Sequence, residues 1–251
     1  MSLLKGKIAV VTGGSRGIGR AIAESFARTG ATVVICGRTL GALQAVARDT
    51  EHLPGRIVPF PCNVARLVEL EHMVQTVLGE QGRIDILVNN AAQNVYGGYA
   101  LDLGDVEFDR AVETNLKSVY RLTRLVAPSM CARGKGTIIN IAALSGLKPE
   151  AENLLFSMTK SGVIMLTKCY ALELAARGVR VNAIAPGLIQ TDSSASIWKD
   201  EHQLARHMDL QPLRHLGQPE EVAEVALMLA SDRASLITGQ VFVADAGMSL
   251  I

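Results

Sequence analysis

The chain has almost no charge surplus: 25 Lys and Arg against 24 Asp and Glu leave a formal net charge of +1 over 251 residues. No basic run is long enough to track nucleic acid or an anionic membrane surface. No apolar stretch is long enough to cross a bilayer. There is no leader pattern ahead of the first apolar run, which Lys5 and Lys7 directly precede. Cysteine is scarce. Cys36, Cys62, Cys131 and Cys169 lie far apart with no CxxC pair, which argues against a disulfide framework and against metal-ligand spacing. A cytoplasmic protein with reduced, mostly buried thiols and no metal is expected. Repeats and linker-like stretches are missing too, so one domain over residues 1–251 is expected.

What is present is organised around Thr12-Gly13-Gly14-Ser15-Arg16-Gly17-Ile18-Gly19. An apolar run, Ile8-Ala9-Val10-Val11, precedes it, and the helix-like Arg20-Ala21-Ile22-Ala23-Glu24-Ser25-Phe26-Ala27 follows. Strand, glycine turn and helix in that order suit a dinucleotide phosphate. Gly13 allows a tight exit from the strand, Gly17 a close approach of backbone to pyrophosphate, and Gly19 close packing of the new helix. The helix N-terminus offers free N–H groups and a positive dipole end.

Apolar runs then alternate with helical periodicity along the chain. Strands are expected around residues 32–36, 57–60, 84–88, 137–141, 179–184 and 240–244, the third near an edge because of its prolines. Helical stretches are expected at 40–50, at 105–133, 155–176 and 220–230, and on the face marked by Leu67, Leu70, Val74 and Val77. Strands apolar throughout and separated by helices imply a parallel sheet covered on both faces. The expected fold is an α/β, doubly wound, single Rossmann-fold domain with a seven-stranded parallel sheet. Residues 188–217 are the one irregular region. They follow a strand end and are expected to form a lid over the substrate.

At this point the chain resembles the short-chain dehydrogenase/reductase family, over essentially its whole length. The residues that carry the likeness are Thr12-Gly13 with Gly17-Ile18-Gly19, Asn89-Asn90-Ala91-Ala92, Asn115, Lys160, and Pro186-Gly187 with Thr191. The resemblance implies NAD(P)-linked carbonyl/alcohol chemistry and, commonly, a tetramer. In the family's chemistry hydride passes to a carbonyl carbon while a tyrosine hydroxyl protonates the oxygen. A lysine four residues later tunes the tyrosine and holds ribose, a serine thirteen residues before the tyrosine bonds the oxygen, and an asparagine supports a relay water. Here Lys160 fits the lysine and Asn115 the asparagine, but Phe156 stands for the tyrosine and Ala143 for the serine. Each change deletes a hydroxyl and keeps the shape. Carbonyl turnover is therefore expected to be impaired, by ~10² to 10⁴ for the acid and ~10² to 10³ for the oxygen-bonding donor, without strict multiplication.

The resemblance also places cofactor contacts at Ser15, Arg16, Arg38, Asn63, Val64, Asn90, Ala91, Lys160, Pro186, Gly187, Ile189 and Thr191. Where NAD users commonly carry an acidic residue after the second strand, this chain has Gly37-Arg38, and Arg16 sits in the glycine loop. Two guanidinium groups at one corner suit a 2′-phosphate, so NADP(H) is expected over NAD(H). Leu144, Ser145, Tyr96 and Trp198 are expected on the substrate side, a largely apolar lining that suits a hydrophobic carbonyl or alcohol. As stand-in acids, Ser145, Tyr96, Tyr99 and Glu152 are the candidates, Glu152 only if its helix begins early enough. Three readings stay open: an impaired oxidoreductase, a binding-only subunit, and a non-redox reaction on the same scaffold.

Overall fold

The computed structural model describes residues 2–94 and 97–251. Its first half runs β1 (Ile8–Thr12), α1 (Gly17–Arg28), β2 (Thr32–Gly37), α2 (Leu40–Asp49), β3 (Arg56–Pro61), α3 (Leu67–Gln81) and β4 (Ile86–Asn89). The second runs α4 (Asp105–Ala111), α5 (Ser118–Ala132), β5 (Gly136–Ile141), α6 (Leu154–Leu174), β6 (Val179–Pro186), the short α7 (Ala195–Trp198), α8 (Glu201–Asp209), α9 (Pro219–Ala230) and β7 (Val241–Ala244).

The strands form one parallel sheet in the order β3-β2-β1-β4-β5-β6-β7. β1 sits between β2 and β4, with Val10 opposite both Val34 and Leu87. The chain reverses its direction of winding there, so a crevice opens outside the carboxyl ends of β1 and β4. The edge position expected for the proline-bearing third strand is the observed one.

Side chains alternate across each strand, and both sets are apolar. Val11, Ile35, Val88, Ile139 and Ile184 pack with Ile22 and Phe26 of α1 and Val222 and Ala226 of α9. Val10, Val34, Leu87, Ile138 and Val181 pack with Leu70, Met73 and Val77 of α3 and Leu122, Val126 and Met130 of α5. Burying each large side chain of this kind contributes about 1.5–3 kcal/mol before the entropy of ordering it. A buried polar chain crosses the second half. Asn89 Nδ2 donates to Asn140 Oδ1 at 2.8 Å, and Asn140 Nδ2 donates to Thr167 Oγ1 at 2.8 Å. It ties β4 and β5 to α6, the helix that carries Phe156 and Lys160.

Several expectations shift. Leu67 is the first residue of α3 and stays exposed, and Met73 completes the buried stripe instead. The fourth strand begins at Ile86, because the Asp85 carboxylate takes the Ile8 N–H at 2.9 Å. The helical stretch at 105–133 is interrupted by a π-helical turn, Val112–Lys117. Cys36 and Cys62 are buried, Cys131 is half-buried and Cys169 is exposed, so the thiols are less uniformly interior than expected. No helix among the described residues is long and apolar enough to cross a membrane.

Candidate functional site

The glycine loop joins β1 to α1 at the crevice. Gly13 has φ +67° and Gly17 φ +54°, conformations that side chains other than glycine resist. A Cβ on Gly19 would lie 2.3 Å from Gly13 O and 2.4 Å from Asn90 Nδ2. Gly19 is therefore fixed by the loop's own backbone rather than by the sheet beneath it. Thr12 and Asn90 hold the loop from the side. Thr12 Oγ1 accepts the N–H groups of Asn90 and Ala91, each at 2.9 Å, and Asn90 Nδ2 donates to Thr12 O at 2.8 Å. Thr12 is a site residue whose role the sequence reading did not isolate. Its signal is a polar residue closing an otherwise apolar strand.

The start of α1 carries no cap of its own, as the starts of α2 and α6 do not, whereas α8 and α9 are capped. Asp200 caps α8 by accepting from His202 N and Gln203 N, and α9 carries a Gln218–Glu221 capping box. α1 has neither a side-chain cap nor an acidic residue in its first turn. Its amino-terminal N–H groups are left for an anion from outside the chain. The glycine cradle and this uncapped end fit a dinucleotide pyrophosphate, held by the backbone of residues 13–19.

Beside the loop, Arg38 is exposed after β2 and has no ion pair among the described residues. Val64 is buried, and Asn63 Oδ1 is engaged by Ala65 N at 3.1 Å. Arg16 reaches across the cleft to Asp192, 3.4 Å away, with both side chains largely exposed. Such a pair contributes little to stability, so Arg16 can exchange Asp192 for a ligand at small cost.

On the opposite wall, Asn115 occupies the π-helical turn. Its amide clips the backbone of Gln93, accepting from Gln93 N at 2.8 Å and donating to Gln93 O at 2.9 Å. π turns recur at functional positions because they re-aim one residue. Lys160 is 4% exposed, and its Nζ donates to Ile141 O at 2.6 Å. Burial pulls its amine down to about 8. The Phe156 ring centroid lies 5.4 Å from that Nζ. Ala143 begins the turn after β5, and Leu144 and Ser145 behind it are buried. Ser145 Oγ has no hydrogen-bond partner among the described residues. Glu152 does not share the face of Phe156: α6 starts at Leu154, and Glu152 is an exposed loop residue at φ +59°. Tyr99 is exposed, and Tyr96 lies outside the described residues.

Residues 188–217 leave β6 after Pro186 and Gly187. Their two stems are pinned together: Ile189 bridges Gly217, and Gln190 N donates to Gly217 O at 2.8 Å. Above that stem α8 buries no residue. Thr191 Oγ1 lies 3.1 Å from Ser194 Oγ, within the capping box of the next turn. Trp198 Nε1 donates to Thr191 O at 2.7 Å. Trp198 lines a cavity of about 230 Å³ with Gly17, Arg20, Thr191 and Pro219, which puts it toward the glycine-loop end of the cleft.

Fold, crevice and glycine cradle together define a Rossmann-type, doubly wound α/β protein. Comparison with known proteins narrows the class. A family model described as enoyl-(acyl carrier protein) reductase matches residues 13–249. A 3-oxoacyl-[acyl-carrier-protein] reductase of Thermotoga maritima is 36% identical over 245 residues, covering 98% of each chain. Dehydrogenase/reductase SDR family member 4 of Oryctolagus cuniculus is 36% identical over 244 residues, covering 97% of this chain and 94% of that one. Among solved structures, a 7α-hydroxysteroid dehydrogenase complexed with NADH and 7-oxo glycochenodeoxycholic acid superposes with a TM-score of 0.93. It is 33% identical, and the match covers 98% of this chain and 95% of that one. The chain belongs to the short-chain dehydrogenase/reductase family, whose members matched here are oxidoreductases.

Proposed function

We propose that this chain binds NADP(H) in the cleft and is built for carbonyl/alcohol redox chemistry on a hydrophobic substrate, with turnover impaired by Phe156 and Ala143. The observation that carries this reading is the pairing on α6. Lys160 is held on Ile141 O, and beside it stands an aromatic ring that bears no hydroxyl.

The nicotinamide, when bound, supplies or accepts hydride. The remaining work falls to the chain. The uncapped end of α1 and the glycine cradle hold phosphate, with Arg16 and Arg38 placed for a 2′-phosphate. Lys160, with its amine near pH 8, donates to ribose oxygens, and Asn115 steadies the neighbouring backbone at Gln93. No group at position 156 or 143 donates a proton to the substrate oxygen, so that oxygen develops charge without a partner. The residues 188–217 are well placed to act as a lid, with a pinned stem and an exposed top. The NADP(H) preference is supported by the exposed Arg38, which stands after β2 where an acidic residue would favour NAD(H), and by the exposed Arg16 of the glycine loop.

A binding-only role is the second reading, favoured by Asn115, whose amide is already satisfied within the chain. NADPH oxidation over a panel of hydrophobic carbonyl compounds separates the two. The native chain is assayed beside a variant carrying Phe156→Tyr and Ala143→Ser. Turnover confined to the variant supports the impaired reductase. Equal turnover points to another acid, with Ser145 and Tyr99 the first to mutate. No turnover in either, with NADPH still bound, favours the binding-only role.

A further inference from the structure

The proposed function puts Arg38 beside a 2′-phosphate, and that phosphate sits on the adenosine ribose. The base then lies next to the corner where β2 and β3 end. Cys62 N donates to Gly37 O at 2.9 Å, so the turn that follows β3 runs alongside this corner. Within it Asn63 and Ala65 are half-buried and Val64 is buried.

The side-chain amide of Asn63 is held in one orientation. Ala65 N–H can only donate, and it donates to Asn63 Oδ1 at 3.1 Å. The oxygen and nitrogen of the amide are therefore not interchangeable, and Nδ2 is left without a partner among the described residues. The turn itself is pinned from two sides. From α3, Glu69 Oε2 accepts from Asn63 N at 2.7 Å. From α5, Arg121 Nη1 donates to Ala65 O at 3.0 Å and to Glu113 Oε2 at 2.8 Å. The Arg121 side chain is only 17% exposed, so these charge-assisted bonds are little weakened by water. Glu113 belongs to the π-helical turn that carries Asn115. Arg121 thus ties the turn after β3 to the opposite wall of the cleft, and the proposed function leaves it without a role.

An oriented amide can read a base. Adenine offers an amino donor beside a ring-nitrogen acceptor. An asparagine amide matches that pair, with Nδ2 donating to the ring nitrogen and the second lone pair of Oδ1 accepting from the amino group. Hypoxanthine carries an oxygen in place of the amino group. An amide free to flip meets either base, whereas one fixed by a backbone N–H meets adenine alone. We infer that Arg121 is a positioning residue for adenine: it fixes Ala65, Ala65 fixes the flip state of the Asn63 amide, and the amide selects adenine over hypoxanthine in the bound dinucleotide. The inference rests on the proposed binding of NADP(H).

The test is competitive fluorescence titration of the full chain with NADPH and with its hypoxanthine analogue, read as the ratio of the two affinities. The native chain is expected to favour NADPH about tenfold, and Asn63→Ala to bring the ratio to about one. Arg121→Met is expected to lower the ratio to about threefold, and to change it no further in the Asn63→Ala background. Arg121→Lys is expected to stay within about twofold of the native ratio, because one nitrogen makes both contacts and an amine can replace it. A merely structural role for Arg121 would lower the melting temperature and weaken both dinucleotides alike, leaving the ratio in place. Glu113→Gln, which removes only the carboxylate that anchors Arg121, is expected to lower the ratio about twofold and serves if Arg121→Met does not fold. A native ratio near one, a ratio indifferent to Asn63→Ala, or a ratio unchanged in Arg121→Met, or in Glu113→Gln where that variant stands in, overturns the inference. Preference for NADPH over NADH in the same titration tests the proposed function separately, and a native chain that binds no dinucleotide overturns both.

Discussion

The two walls of the cleft contrast. On the β1–α1 side every device for holding a dinucleotide is in place: two positive-φ glycines, a third packed against backbone, an uncapped helix end and the Thr12–Asn90 brace. On the α6 side the frame is kept, with Asn115 and Lys160 buried and bonded, yet positions 143 and 156 carry no hydroxyl. One wall depends on backbone shape and the other on individual oxygen atoms. On the proposed function, binding and turnover are expected to separate, each responding most to substitutions on its own wall.

The largest effect belongs to the backbone wall. Gly19→Val drives a Cβ into Gly13 O, 2.3 Å away with no flexible side chain to yield. A loss of about 3 kcal/mol or more in stability is expected, with NADPH binding abolished, read by thermal unfolding and by nicotinamide fluorescence. Thr12→Val comes next, because Oγ1 serves two N–H groups that would be left unpaired. It is expected to cost about 2–4 kcal/mol in denaturant unfolding and to weaken NADPH binding with it.

Lys160→Met probes the opposite wall through its pH dependence. The folded protein holds this amine at about 8 against an ordinary 10.5, because of burial. Folding therefore carries the cost of a buried ammonium below pH 8, and that cost fades as pH rises toward 10.5. The melting-temperature difference, variant minus native, is expected to be most positive below pH 8. It should fall across that window by the equivalent of about 3 kcal/mol. A flat difference would mean that Lys160 keeps its ordinary pKa. The smallest effect is Arg16→Gln. Arg16 gives up only an exposed pair with Asp192, so stability is unchanged, while preference for NADPH over NADH falls about tenfold in competitive titration. Equal loss of both cofactors would place Arg16 at the pyrophosphate instead.

How much of this was legible in the sequence follows the same division. Alternating apolar runs and glycine spacing carry the sheet, the edge position of β3 and the phosphate loop, because strand burial and backbone approach leave patterns in residue type. The π turn at Val112–Lys117 leaves no such pattern, since its period differs from an α-helix by less than the local hydrophobic spacing reveals. The apolar run at 84–88 suggests a strand two residues longer than the observed β4, because Asp85 offers a side chain in place of a ladder acceptor. Long-range polar pairings such as Arg16–Asp192 and Asn140–Thr167 join residues far apart in the chain, and only the fold brings them together. Glu152 was a conditional candidate that depended on where α6 starts, a boundary that a left-handed residue settles against it.

On the proposed function the cleft binds its cofactor well and lacks the groups for proton transfer. The direct measurement takes the native chain and the Phe156→Tyr, Ala143→Ser variant through one NADPH fluorescence titration and one single-turnover reduction of a hydrophobic ketone. The account expects NADPH affinities equal within about twofold and a reduction rate higher in the variant by ~10² or more. Equal rates with equal affinities would contradict it, because an acid elsewhere in the cleft would then already be serving the native chain.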